Sequence, residues 1–253
     1  MLEDYVRERR KKQDILLMTH IVIGYPNLDT SMAIVEEMVR AGVELIELQI
    51  PFSEPMADGP VILKANCIAL EGGATVERCL RFAEQASREF DVPLLFMSYY
   101  NILFKYGVSA FVDRMSDIGV CGSIVPDLPP EEATTYLNTL DKRGLSPVFI
   151  FSPNTSEQRM HRIAESARGF VYCVARKGVT GLDTDFSEEL NGYLARCRQA
   201  TSLPLALGFG VKDRSDIDFL RGKVDIAVIG SQTIRLVDEH GVSAVRPFLQ
   251  SLR

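Results

Sequence analysis

The sequence has little that would build a disulfide scaffold, a structural zinc site or a membrane span. Its five cysteines (Cys67, Cys79, Cys121, Cys173 and Cys197) are odd in number, with no CxxC pair. That usage points to a reducing interior. No apolar run approaches the ~18 residues that suggest a spanning helix. A surplus of positive charge is missing too: 28 basic against 34 acidic residues give −6. With no bulk positive field to hold a polynucleotide backbone, any anionic ligand has to be caught locally. The 18 glycines and 12 prolines are near the ordinary background, which excludes collagen-like and low-complexity chains. No GxGxxG, P-loop, HExxH or Ser-His-Asp pattern is present, and no linker or internal repeat. The opening segment, MLEDYVRERRKKQD, carries both signs of charge, unlike a targeting peptide. The expected compartment is the cytoplasm.

What the chain does have is alternation. Eight short apolar runs begin at Leu16, Leu45, Pro93, Cys121, Pro147, Phe170, Pro204 and Asp225. Each is rich in Val, Ile, Leu or Phe, as strands buried on both faces are. Amphipathic stretches lie between them. Asp29 or Thr30 is the expected cap of a helix stopping at Gly42. Pro130 opens one stopping at Gly144, and Asn154 or Ser156 opens one stopping at Gly169. Further helices are expected over residues 2–13 and 75–90. Eight strands alternating with helices over 253 residues match a closed (β/α)8 TIM barrel in the α/β class, with extra N-terminal and inserted helices. A doubly wound sheet is the alternative and usually has fewer strands. The expected organisation is one barrel domain over residues 1–253.

In such a barrel, chemistry sits at the carboxyl ends of the strands. Glu47 interrupts an apolar strand, and alternation puts it on the same face as Leu45 and Gln49, pointing inward. A carboxylate in apolar surroundings has a raised pKa, which suits acid–base work near neutrality; pairing with a basic residue is the other reading. Asp58 lies in a loop with Pro51, Pro55, Gly59 and Pro60. It reads either as a helix N-cap or as a second functional carboxylate. Glycine-bearing turns follow the last three runs: Gly178 to Gly181, Gly208 to Gly210, and Gly230-Ser231. Backbone N–H groups in such turns, with a helix N-terminus, suit a phosphate. His20 is expected to face the pocket or to pack in the core. His161 and His240 are expected on surface helices.

The segments LIELQIPFSEPMADGPVI, YYNILFKYG, IVPDLPPEE, VYCVARKGVTG, LGFGV and VIGS resemble, in that order, the tryptophan synthase alpha chain family. The resemblance runs from about Thr19 to Arg235. It implies cleavage of indole-3-glycerol phosphate to indole and glyceraldehyde 3-phosphate, with no cofactor and no metal. A beta chain is the implied partner, in an α2β2 assembly with allosteric coupling. Glu47 and Asp58 fall on the family's catalytic positions. Gly181, Gly210, Gly230 and Ser231 fall on its phosphate site. Tyr172 and Thr180 match its pocket tyrosine and loop threonine, and Tyr99, Phe209 and Leu207 are the expected walls for indole. Loops bearing Pro55, Asn101, Phe104 and Pro129 correspond to the partner surface. Three positions depart from the pattern: Gln49 where the family usually has Gly, Glu54 where Asp is common, and His20 where an aromatic is more frequent. The glutamine is expected to bond Glu47 or to take space from the substrate. An alpha-like subunit that mainly activates a beta chain is the alternative.

Overall fold

Apolar residues on both sides of a strand need cover on both sides, and a closed parallel barrel ringed by helices supplies it. The computed structural model describes residues 1–175, 188–208 and 210–253. Its strands are β1 (Leu16–Val22), β2 (Leu45–Gln49), β3 (Leu94–Met97), β4 (Gly122–Ile124), β5 (Ser146–Phe151), β6 (Val171–Val174), β7 (Leu205–Gly208) and β8 (Ile226–Ile229). All pair in parallel in chain order, and β8 closes on β1 through Leu16 opposite Ile226 and Thr19 opposite Ile229. The eight apolar runs each hold one strand. The fold is the (β/α)8 barrel expected from the alternation.

The α-helices among the described residues are α1 (Leu2–Arg10), α2 (Leu28–Arg40), α3 (Pro60–Glu71), α4 (Val76–Glu89), α5 (Tyr100–Tyr106), α6 (Val108–Asp117), α7 (Thr134–Arg143), α8 (Glu157–Ser166), α9 (Glu188–Ala200), α10 (Arg214–Leu220), α11 (Ser231–His240) and α12 (Val245–Ser251). His161 and His240 lie on α8 and α11, as expected. None is long and apolar enough to cross a membrane.

Some helix starts differ from the sequence reading. The cap of α2 is Asn27, whose side chain accepts from the Thr30 N–H at 2.8 Å, so the helix begins before Asp29. Asparagine is as good a cap as aspartate, and a cap must stand just ahead of the first N–H groups that lack a partner. Pro130 opens a 3-10 turn (Pro130–Glu132) that leads into α7, and Gly144 ends α7 in the left-handed conformation. For α8 the cap is Ser156, which accepts from the Arg159 N–H. Gly59, not Asp58, caps α3, which leaves Asp58 for other work.

Two apolar layers divide the side chains. Leu17, Ile21, Ile46, Leu48, Phe96, Leu205 and Leu207 pack outward against the helices. Leu16, Met18, Leu45, Leu95, Val148, Ala206 and Ile226 fill the barrel interior. Leu2 and Val6 of α1 belong to that interior set and cover the amino end of the barrel with Phe170. Gly169 makes this closure possible. Its φ is +80°, and a Cβ there would lie 2.8 Å from Leu2 Cδ2 and 3.1 Å from Ser146 Cβ. The same end carries an ion pair in which the glutamate is buried and the arginine partly exposed. Glu44 accepts from the Leu17 N–H at 2.8 Å and pairs with Arg253 at 2.9 Å.

Gly169→Ala should therefore destabilise the chain by about 2 kcal/mol, from left-handed strain and the displaced Leu2. The urea midpoint should fall with the slope unchanged. An unshifted midpoint would show that α1 does not rest on this glycine.

Candidate active site

Strand β2 sets the first functional atom. Leu45 faces inward, Ile46 outward and Glu47 inward again, opposite His20 of β1 and Leu95 of β3. Glu47 is 4% exposed, and its Oε2 has no hydrogen-bond partner. Burial, with the Asp58 carboxylate nearby, raises its pKa from 4.5 to about 8. The contrast with Glu44, three residues earlier, is informative. Glu44 is as buried but has an arginine and a backbone N–H. An unpartnered carboxylate costs stability, so its retention is a mark of function rather than of folding.

The rim loop between β2 and α3 brings the second carboxylate. The Asp58 N–H closes a turn onto the Pro55 carbonyl at 3.0 Å. Tyr99, fully buried at the start of α5, accepts from the Ala57 N–H at 3.1 Å and hydrogen-bonds Asp58. Phe52 stacks on the Tyr99 ring with centroids 5.2 Å apart. Burial raises the Asp58 pKa to about 6, against the pull of the bonds from Gln49 and Tyr99. The two acids are thus held in different states near pH 7, Glu47 protonated and Asp58 ionised.

Gln49 behaves differently from the sequence reading. Its Nε2 donates to Asp58 Oδ2 at 2.6 Å, and its Oε1 meets His20 Nε2 at 2.7 Å. Two of the three departures from the family pattern are therefore in contact. Asn66 of α3 stands behind them, 3.4 Å from Gln49 Nε2, and accepts from the Phe52 N–H. His20 is inward and 5% exposed, and burial lowers its pKa to about 4. Among the described residues, no group of three or more His, Cys, Asp or Glu is arranged to hold a metal.

Tyr172 of β6 completes the wall, its hydroxyl pKa pushed far up by burial and by Glu47 and Asp58. Gly208 makes room for it: a Cβ there would fall 2.6 Å from the Tyr172 ring. Gly208 is thus explained by close packing, whereas Gly210 has φ +80° and open space around it. Gly230 and Ser231 stand at the N-terminus of α11, directly after β8, with the spare N–H groups of a first helical turn. A Cβ on Gly230 would touch His20 at 3.7 Å, so this turn adjoins the carboxylate end. Thr180, Gly181 and Phe209 lie outside the described residues.

Two expectations need correcting. Leu207 faces the helices and cannot wall a pocket, because strand alternation gives the inward places on β7 to Ala206 and Gly208. Pro55 is buried, held in the turn that carries Asp58, and the adjacent Met56 is the exposed one at 74%. Asn101, Phe104 and Pro129 are exposed, Phe104 at 69%. Phe52, Ile150 and Asn66 were not singled out from sequence. Phe52 and Ile150 pack on the interior set, and an aromatic directly after Pro51 was the available signal for Phe52.

The fold is a (β/α)8 barrel that gathers two carboxyl groups and a buried histidine at the carboxyl ends of its strands. Comparison with known proteins narrows the class. A family model described as "Tryptophan synthase alpha chain" matches residues 6–248. Proteins of that name from Desulforapulum autotrophicum and Syntrophotalea carbinolica are 67% and 64% identical, each covering 100% of both chains. A structure of Mycobacterium tuberculosis tryptophan synthase is similar with a TM-score of 0.93 at 29% identity, covering 99% of this chain and 96% of that one. A tryptophan synthase complex from Pyrococcus furiosus gives 0.86 at 26% identity, covering 94% and 97%. The chain belongs to the tryptophan synthase alpha chain family.

The buried carboxyl has a consequence for stability. Its folded pKa exceeds the ordinary value of 4.5, so the folded state holds the proton more tightly than the unfolded chain. That stabilisation is complete below about pH 4.5 and is lost as pH rises through about 8. Glu47→Gln should come close to wild type at pH 4.5 and exceed it by roughly 4 kcal/mol at pH 8.5. Denaturant titrations at the two pH values test this, and equal differences at both would show that Glu47 is not a buried acid.

Proposed function

We propose that this chain cleaves indole-3-glycerol phosphate to indole and glyceraldehyde 3-phosphate, as a carbon–carbon lyase in tryptophan biosynthesis. The observation that carries the reading is the buried Glu47 carboxyl, its Oε2 without a partner and neutral near pH 7, beside an ionised Asp58. Family membership supplies the substrate class. The whole chain acts as one (β/α)8 domain.

Indole is a poor carbanion leaving group until C3 is protonated. Glu47 is the group to deliver that proton, being protonated and inside the barrel. As C3 takes the proton, positive charge develops at the ring nitrogen, and the ionised Asp58 accepts its N–H hydrogen bond. The Glu47 carboxylate so formed then takes the proton of the side-chain hydroxyl on the adjacent carbon. The carbon–carbon bond breaks, its electron pair returns to the ring, and the hydroxyl carbon becomes the aldehyde. One proton enters and one leaves, so Glu47 ends as it began and no cofactor is required.

The phosphate is assigned to the turns bearing Gly181, Gly210, Gly230 and Ser231, where helix-start N–H groups suit an anion. This local arrangement meets the need posed by a chain of charge −6. Tyr99, Tyr172 and Phe209 are assigned to the indole end, and Thr180 to closing the site over it. A beta chain is the proposed partner, docking on the rim through the exposed Asn101, Phe104 and Pro129, with α2β2 stoichiometry. The exposure of Phe104 and Met56 supports that docking face. The proposed compartment is the cytoplasm.

Indole release should rise when a beta chain is added and fall at least ~100-fold in Glu47→Gln, the scale of a lost general acid–base group. Asp58→Asn should lower kcat more than it raises KM. No release with or without the partner, while the partner's own reaction still accelerates, would replace the lyase reading with that of an activating subunit.

In the pH profile of kcat/KM, the rising limb should fall near 6 and the declining limb near 8, set by Asp58 and Glu47. A rate still rising above pH 9 would remove Glu47 as the required acid.

A further inference from the structure

Gln49 projects from the same face of β2 as Glu47, yet its amide serves the other carboxylate. The direction of each bond in this cluster is fixed by chemistry. Ionised Asp58 only accepts, so Gln49 must present its Nε2 to it, at 2.6 Å. That turns the amide oxygen toward His20, 2.7 Å away. The amide oxygen also only accepts, so His20 Nε2 carries the hydrogen and donates. His20 is neutral, and its other nitrogen, Nδ1, is buried with no hydrogen-bond partner. The order His20 to Gln49 to Asp58 therefore runs one way, and Glu47 Oε2 is left out of it.

We propose that His20 and Gln49 are positioning residues: Gln49 holds Asp58 as the carboxylate, His20 locks the amide that does so, and Glu47 is thereby left as the protonated partner. The proposal deepens the acid–base reading above and rests on its assignment of the two carboxyls. Among the described residues, the titratable groups facing Asp58 besides Glu47 are Tyr99 from the start of α5 and Tyr172 from β6. Both are phenols held neutral and neither supplies a positive charge. The donors from Gln49 and Tyr99 are what oppose burial at Asp58. Without the glutamine, the two acids would titrate closer together and the division of states would blur.

The test uses the full chain, with carboxyl 13C NMR titration of Asp58 and indole release measured in parallel. Gln49→Met keeps the volume and deletes the donor. It should raise the Asp58 midpoint by about one pH unit, and the rising limb of kcat/KM should move with it, a tenfold loss on that limb. His20→Phe should shift the midpoint in the same direction by less. The double variant should go no further than Gln49→Met alone, because the histidine acts only through the amide. His20→Gln, which can still donate to Gln49 Oε1, should restore the midpoint, which a merely space-filling role would not predict. If Gln49→Met does not fold, the His20→Phe and His20→Gln pair decides the matter by itself. An unmoved Asp58 midpoint in folded variants, or additive shifts in the double variant, overturns the relay. A shifted midpoint without any indole release would instead leave the relay standing and remove the lyase reading.

Discussion

Desolvation of one carboxyl group is the constraint around which the rest of this molecule is arranged. Glu47 sits inside a barrel lined by Leu16, Met18, Leu45, Leu95 and Val148, where an ion is costly and a neutral acid is tolerable. Closure of the sheet is what creates that interior. An open sheet would leave an edge near which water could reach the acid, whereas pairing of β8 with β1 leaves none. The helical cover at the amino end, with Leu2 and Val6 pressed in over Gly169, excludes water from below. Among the described residues, that leaves the carboxyl end as the side from which the group can be approached.

Glu44 and Glu47 show how the same chemistry serves two ends. Both are glutamates on one short stretch, and both are buried. At the amino end, where the fold has only to hold together, Glu44 is given Arg253 and a backbone N–H. Pairing of this kind ties the C-terminal residue back to β1 and the start of β2. At the other end, among the described residues, no cation is supplied to Glu47 Oε2. Under the proposed reaction, stability is given up where a proton has to move.

Much of this was legible in the sequence. Eight apolar runs set the strand count, and the period of two placed Glu47 inward because a strand has only two faces. The glycine–serine turn after β8 did fall at a helix start. Other features were not legible, for reasons that are physical. Leu207 is expected as an indole wall, but the phase of β7, set by pairing with β6 and β8, turns it toward the helices. Pro55 is expected in a partner-facing loop, yet it is buried and its carbonyl closes the turn that delivers Asp58. Gly208 reads as an anion-binding glycine, whereas it clears space for Tyr172 from the neighbouring strand. The partners of Gln49 were the hardest to foresee. They lie 29 residues before it and nine after it, on a strand and a loop whose meeting depends on the closed barrel. Local pattern reports a residue's face and not which groups from elsewhere share it.

Two carboxyls in one small space repel, and proximity alone would raise both pKa values until one of them protonates. Which one takes the proton is decided by unequal hydrogen bonding. Asp58 has amide and phenol donors, Glu47 has neither at its free oxygen, and the proton settles on Glu47. Under the proposed reaction, a phosphate caught at Gly230 and Ser231 brings further negative charge to the barrel mouth, and a bound indole displaces water. Both effects disfavour a second anion and push the Glu47 pKa higher still, so the acid is most firmly protonated when substrate is in place. Protonation of C3 then removes the proton just as positive charge appears on the ring, and the new carboxylate has a counter-charge at the moment it forms. Under that reaction, the high pKa that costs stability in the folded chain is matched to the one step in which ionisation is compensated.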